Sequence, residues 1–392
     1  MQPYFSKGVD IMLRYLNAGE SHGKGLTGIV EGFPANLEID KKYINNELKR
    51  RQRGYGRGKR MDIEKDTIEI LSGIRAGYTM GSPISLYIEN KDYINWKDKM
   101  AISNEITEDI ITKPRPGHGD YAGAIKYNQK DIRNILERAS ARETAMRVGI
   151  GSIAKIFLSY FDINILSYVC EIGGINGDDD NYIYEDLMMA DNSLLRVLDD
   201  KVEKDMINKI DEYKKKGDTL GGAFKVVATN IPVGLGSHSN WDRKIDGKIA
   251  QGIMSLQGIK AVEIGEGIKS SKSSGSNVHD ELFYKDKYYR KTNNAGGIEA
   301  GISNGEDIVI KAYMKPIPSL SIPLKSVDMK TKKEFLAHKE RADVCAVPSA
   351  SIVAESIIAW TIANELVIKF GGDSIEETIL NYKNYINYIN GR

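Results

Sequence analysis

The chain has 392 residues, 41% of them hydrophobic and 28% charged, a balance that supports a sizeable core and excludes the disordered and fibrous classes. Against 55 Lys and Arg stand 54 Asp and Glu, a net charge of +1, so no global field draws the chain to nucleic acid or to a membrane and any basic site must be local. No apolar run reads as the roughly 18 residues of a membrane span, and Met1–Met12 lacks the apolar stretch of a signal peptide, which makes the expected place cytoplasmic. Cys170 and Cys345 lie far apart with no CxxC spacing, so both read as buried free thiols.

In chain order, Met12 can serve as the natural start, and residues 1–12 are expected to form a disordered N-terminal extension. Asp40 is placed to cap a helix carrying Ile44 and Leu48. Residues 49–60, KRRQRGYGRGKR, hold seven basic side chains in twelve and admit three readings: a solvated loop, an RNA-binding arm, or a clamp for small anions. Alternation marks strands at 83–88, through Ile84, Leu86 and Ile88, and at 307–313, through Ile308, Ile310 and Ala312. A long helix is expected from Asp131 through Ile156, and another from about Ser351 to Ile368. Gly-rich stretches at 18–28, 53–58, 115–123 and 294–305, with the Lys/Ser stretch 269–277, read as loops. Strand and helix signals mix without βαβ alternation, so the fold class is α+β. The fingerprint Gly149-Ile150-Gly151-Ser152-Ile153-Ala154 lies inside a helical pattern and follows no strand, so helix packing explains it better than a dinucleotide.

Chemistry concentrates in a few places. In the 131–149 stretch, Arg133 has Glu137 at i+4 and Arg147 has Glu143 at i−4, which makes both arginines structural. Arg138 and Arg142 stand one helical turn apart with no carboxylate at i±3 or i±4. Either they bind an anion such as phosphate or their partners come from distant segments. His22 and His118 occupy the Gly-rich loops Gly19-Glu20-Ser21-His22-Gly23 and Arg115-Pro116-Gly117-His118-Gly119-Asp120. There an imidazole can donate a proton to a leaving phosphate or steady an anionic ring, and plain surface exposure is the competing reading. His238, His279 and His338 are read as surface residues, and no spacing supports a metal site. The 294–301 stretch leading to Lys315 either presents amides and a lysine to a phosphate or forms a tight turn.

Three motifs in order carry a resemblance: Gly19–Gly23, Arg138-Ala139-Ser140-Ala141-Arg142-Glu143-Thr144-Ala145, and Arg341-Ala342-Asp343-Val344-Cys345. With them the chain resembles the chorismate synthase family over nearly its whole length after Met12. The resemblance implies a single domain over 13–392, with a helical layer between antiparallel β-sheets, and a homotetramer. The reaction it implies is the anti-1,4-elimination of phosphate from 5-enolpyruvylshikimate 3-phosphate, requiring reduced FMN without net redox change. NADPH would enter only indirectly or as the flavin reductant, and the absence of a dinucleotide motif leans toward a separate flavin reductase. No nucleic acid, membrane or metal is implied. Carried over to this sequence, His22 would protonate the departing phosphate, His118 would meet the reduced flavin, and Asp343 would help deprotonate it at N5. Flavin contacts fall to Arg138, Ala139, Ser140, Gln257, Gly258, Ala300, Lys315, Pro316, Ile317, Pro318, Ser319 and Arg341. Ser21, Arg51, Arg57 and Arg142 would face the substrate, or a nicotinamide in relatives that reduce their own flavin. Ala139, Ala300 and Ala342 depart from the family's frequent Ser, Gly and Ser.

Overall fold

A computed structural model describes residues 12–57, 64–103, 110–177, 182–337 and 343–391. The N-terminal residues 1–11, His338 and Arg341 therefore lie outside the described residues. Alternating stretches build two sheets, and every strand pairing within them is antiparallel. The first comprises β1 (Arg14–Ala18), β2 (Gly25–Glu31), β3 (Glu69–Ser72) and β4 (Ile84–Glu89), in the order β1-β2-β4-β3. The second comprises β5 (Asn164–Ile172), β6 (Ile175–Asn176), β7 (Gly222–Thr229), β8 (Ile259–Ile264) and β9 (Ile308–Met314), in the order β8-β9-β7-β5-β6. Ile84, Leu86 and Ile88 on β4, and Ile308, Ile310 and Ala312 on β9, are buried as their period of two requires. The class is α+β.

Five helices position the chemistry: α1 (Lys41–Gln52), α2 (Asp120–Lys126), α3 (Arg133–Ala139), α4 (Thr144–Ser159) and α5 (Val347–Phe370). Asp40 caps α1 by accepting from the Lys42 amide at 2.8 Å, and Ile44 and Leu48 are fully buried. Helix α5 begins earlier than expected because Pro348 fits a first turn that needs no amide donor. Among the described residues it is the one helix long and apolar enough to cross a membrane, which corrects the expectation that no such run exists. Of its most apolar window, 78% is buried inside the fold. Helix α4 packs on α5 and on the first sheet, while α5 packs on β5 and β7 of the second. The contact is close because Gly151 has no side chain: a Cβ there would collide with the side chain and backbone of Ser356. The 149–154 fingerprint is thus a helix-packing seam. Cys170 and Cys345 are free and buried.

The basic run divides by function. Lys49 and Arg53 are exposed, but Arg50 turns inward to Glu47 at 2.9 Å, Glu355 at 2.8 Å and Asp191 at 2.6 Å. Lys155 and Arg196 join the same buried carboxylates. Burial opposes ionisation of Glu355, but Arg50, Lys155 and Arg196 outweigh it and hold its carboxyl well below the ordinary range. This ion cluster ties the end of α1 to α4 and α5, fixing where Arg51 starts.

Candidate functional site

Sequence pattern suggests one continuous helix from Asp131 through Ile156, and the structure breaks it. Ser140 adopts extended backbone at φ −63° and ψ 142°, and its hydroxyl accepts the Arg142 amide, starting a tight turn at Ala141–Glu143 before α4. A serine hydroxyl that competes for backbone amides favours such a cap over helix continuation. The break sends Arg138 and Arg142 apart. Arg138 donates to the Asn17 carbonyl (3.0 Å), the Asn17 amide oxygen (2.9 Å) and the Gly19 carbonyl (3.0 Å). Arg142 donates to Asn90 Oδ1 (2.9 Å) and Asp66 Oδ1 (2.6 Å). Neither lacks a partner: the groups come from 52 to 121 residues away, beyond the reach of an i±4 count.

His22 sits in the loop after β1, and α3 holds it. Its backbone amide donates to Glu137 Oε2 at 2.8 Å, and its Nδ1 lies 3.0 Å from both Glu137 oxygens. The Ser21 amide donates to the Glu137 carbonyl at 3.0 Å. One face of the imidazole stacks on Trp96, centroid to centroid 3.9 Å. Burial pushes the Glu137 carboxyl up, but hydrogen bonds and charge from His22 prevail and hold it below its ordinary value. Glu137 hydrogen-bonds His22, while Arg133, whose guanidinium lies over Trp96 at 5.5 Å, adds its charge to the lowering of the carboxyl. Arg147 keeps its expected partner Glu143 at 3.0 Å.

His118 has a local partner. Its Nδ1 lies 2.5 Å from Asp120 Oδ1, and Arg115 donates to Asp120 Oδ2 from its backbone at 3.0 Å and from Nε at 2.9 Å. Asp120 is fully buried; burial opposes its charge, but His118 and Arg115 keep the carboxyl far below the usual range. Lys315 Nζ donates to the Gly117 carbonyl at 2.6 Å, which ties this loop to the Lys315–Ser319 stretch. Gly117 has φ +77°, backbone that disfavours any side chain, and a Cβ there would press on Pro318.

Next to the His22 loop lies a knot of cations. Arg51 is buried, donates to Thr144 Oγ1 (3.0 Å) and the Ala141 carbonyl (3.1 Å), and approaches Asp66 at 3.5 Å. Burial, with like charge from Arg142 and Arg57, lowers its pKa to about 10 despite Asp66. Arg57 Nε stands 3.3 Å from Asp343. One guanidinium nitrogen of Arg51 and one of Arg142 are buried with no hydrogen bond, standing 3.5 Å from Asp66 and 3.7 Å from Glu64, and a bound anion at hydrogen-bond distance would satisfy them better. Asn90 connects the knot to the His22 loop, because its amide donates to the carbonyls of Glu20 and Gly23 while its oxygen accepts from Arg142.

The residues expected to meet flavin form a second chain of contacts. Arg138 meets Asn17, Asn17 donates to Glu143 (2.7 Å), and Glu143 accepts from Gln257 (2.8 Å). The Gly258 carbonyl accepts the Lys315 amide (2.9 Å), and the Ile317 carbonyl accepts from Thr219 (2.8 Å). Gln257 Oε1 is buried without a hydrogen-bond partner, an acceptor that suits a ligand N–H. No described hydrogen bond brings Ala300 to this group. Its carbonyl accepts from Lys244 at 3.1 Å, and the neighbouring Gly301 carbonyl accepts from Ser237. Ser237 borders a separate cavity of about 950 Å³ lined by Tyr15, Arg147, Lys248, Trp360 and Glu365, and neither His22 nor His118 lines it. Among the described residues no group of three side chains suits a metal. Sequence reasoning missed Glu137, Trp96, Asn90 and Asp66, whose roles arise only from tertiary contacts.

Comparison with known proteins follows the same lines. The family model described as chorismate synthase matches residues 13–367. A chorismate synthase of Alkaliphilus oremlandii (strain OhILAs) is 55% identical over 386 residues, spanning 97% of this chain and 100% of its own. That of Aquifex aeolicus (strain VF5) is 53% identical over 390 residues, spanning 96% of this chain and 98% of its own. A crystal structure of chorismate synthase superposes with a TM-score of 0.80 at 44% identity, covering 97% of this chain and 99% of that one.

Proposed function

The chain belongs to the chorismate synthase family of lyases, which release phosphate from 5-enolpyruvylshikimate 3-phosphate to form chorismate, the last step of the shikimate pathway, and from that premise we propose how its own residues divide the work. Arg51, Arg57, Arg142 and Ser21 bind the substrate, whose phosphate and two carboxylates offer acceptors to the buried guanidinium nitrogens of Arg51 and Arg142 that make no hydrogen bond. Reduced FMN is held by Arg138, Ala139, Ser140, Gln257, Gly258 and Lys315–Ser319. The chemistry a bound reduced flavin would supply is a transient source of electron density for breaking the allylic C–O bond, with no net redox change. His22 gives a proton from its ring to the departing phosphate oxygen, the C–O electron pair leaving with the phosphate. His118 steadies negative charge on the flavin side, and Asp343 is the carboxylate that accepts a proton there. Arg341 and Ala300 complete the flavin set.

The observation that carries this reading is the break at Ser140, which directs Arg138 to the His22 loop and Arg142 to the cation knot. The contacts of α4 with the first sheet and of α5 with the second support a helical layer between antiparallel sheets in one domain over 13–392. We further infer a homotetramer in the cytoplasm, served by a separate flavin reductase with NADPH as indirect electron source; two buried free thiols are consistent with a reducing compartment.

The test is anaerobic. Photoreduced FMN at substoichiometric concentration is mixed with protein and 5-enolpyruvylshikimate 3-phosphate, and phosphate release is followed together with chorismate absorbance. Many equal turnovers of both products per flavin support the assignment. Net consumption of a reductant per turnover would point instead to a flavin oxidoreductase.

A further inference from the structure

We infer that Glu137 is a positioning residue for the proton donor of this reaction, fixing the tautomer and direction of His22. The inference rests on the reading of His22 as that donor.

Glu137 is 2% exposed, and a buried carboxylate is costly unless it is fully hydrogen-bonded. Its partners are almost all in one loop. One oxygen takes the His22 backbone amide, both lie 3.0 Å from Nδ1, and its carbonyl takes the Ser21 amide. The next residue, Arg138, grips the same loop at Asn17 and Gly19. The last turn of α3 therefore clamps the loop from both ends.

An ionised carboxylate only accepts hydrogen bonds, so the neutral His22 ring carries its hydrogen on Nδ1. With that nitrogen engaged and one face on Trp96, the edge left to meet a substrate is Nε2, on a side chain 18% exposed. In the protonated ring the second hydrogen sits on Nε2. The proton then passes from Nε2 to the phosphate oxygen, and the neutral ring that remains is already in the tautomer Glu137 stabilises. No side-chain reorganisation accompanies the transfer.

The variant Glu137→Gln keeps the shape, but its amide can offer an N–H to Nδ1 and favour the opposite tautomer. Turnover should fall by about 10- to 100-fold, the scale seen when a group that orients a functional histidine is lost. KM for substrate and affinity for reduced FMN should stay within about twofold. A purely structural role would lower turnover, raise KM and weaken flavin affinity together. Nitrogen-15 NMR of labelled histidine in the unaltered protein gives a readout that needs no Glu137 variant: the signal lost in His22→Ala should show hydrogen on Nδ1. Hydrogen on Nε2 in the neutral ring, or wild-type turnover in Glu137→Gln, overturns the inference. If His22→Ala itself turns over normally, the donor assignment fails and takes the inference with it. If His22→Ala is inactive while Glu137→Gln is normal, only the role of Glu137 fails.

Discussion

His22 and His118 both meet a buried carboxylate through Nδ1, yet the two pairs are built differently. Glu137 reaches His22 across 115 residues, and the histidine supplies most of its hydrogen bonds. Asp120 stands two residues from His118 and is shared with Arg115. In the first pair the imidazole is the carboxylate's main partner. In the second, the ring shares the carboxylate with a guanidinium, so the charge keeps one partner when the ring is lost. Two imidazoles on one molecule can thus be given different proton-handling duties by the company their carboxylates keep.

The largest expected effect breaks the second pair from below. Asp120→Ala leaves the Arg115 guanidinium and the His118 ring without their shared partner and should cost about 3–5 kcal/mol of stability, the scale for removing one member of a buried ion pair, measured by chemical denaturation. Next comes the asymmetry itself. His22→Ala leaves Glu137 buried with its ring contact gone and should cost about 1–3 kcal/mol; His118→Ala, which leaves Asp120 on Arg115, should cost less than half as much. Equal losses would show that the pairs are equivalent. The smallest effect is in acid. Both carboxyls are held below their ordinary range when folded, Asp120 further than Glu137. Each then adds stability that is present above the ordinary carboxyl pKa of about 4 and is lost as pH falls through the depressed folded value. On acidification the Glu137 contribution should disappear before that of Asp120, so the stability difference between wild type and Glu137→Gln should shrink at a higher pH than that between wild type and Asp120→Asn.

Much of this was legible in the chain, and the parts that were not share a cause. The cap at Asp40, the period of two at 84–88 and 308–312, the packing role of Gly151 and the buried thiols are local patterns that the fold leaves intact. The first two motifs located the His22 loop and the arginine pair, and the Gly-rich composition around His118 located the second histidine loop. Hidden were partners with large sequence separation: Asp66 and Asn90 for Arg142, Asn17 for Arg138, Glu355 for Arg50. Residues 138–145 have helical composition throughout, and only the Ser140 hydroxyl on the Arg142 amide reveals why the helix stops. The i, i+4 spacing of Arg133 and Glu137 is visible in sequence, whereas the loop that folds back from residue 22 to hydrogen-bond Glu137 is not. The apolar length of α5 is likewise ambiguous until α4 and the second sheet are seen to cover it.

His22 and His118 are proposed to act on opposite sides of one elimination, the first giving a proton to the phosphate and the second steadying charge on the flavin side. The most direct measurement is rapid-mix, anaerobic phosphate release by wild type, His22→Ala and His118→Ala, each saturated with reduced FMN and 5-enolpyruvylshikimate 3-phosphate. The prediction is that both variants bind both ligands but release phosphate at least about 100-fold more slowly. Release at the wild-type rate by either variant would contradict the account.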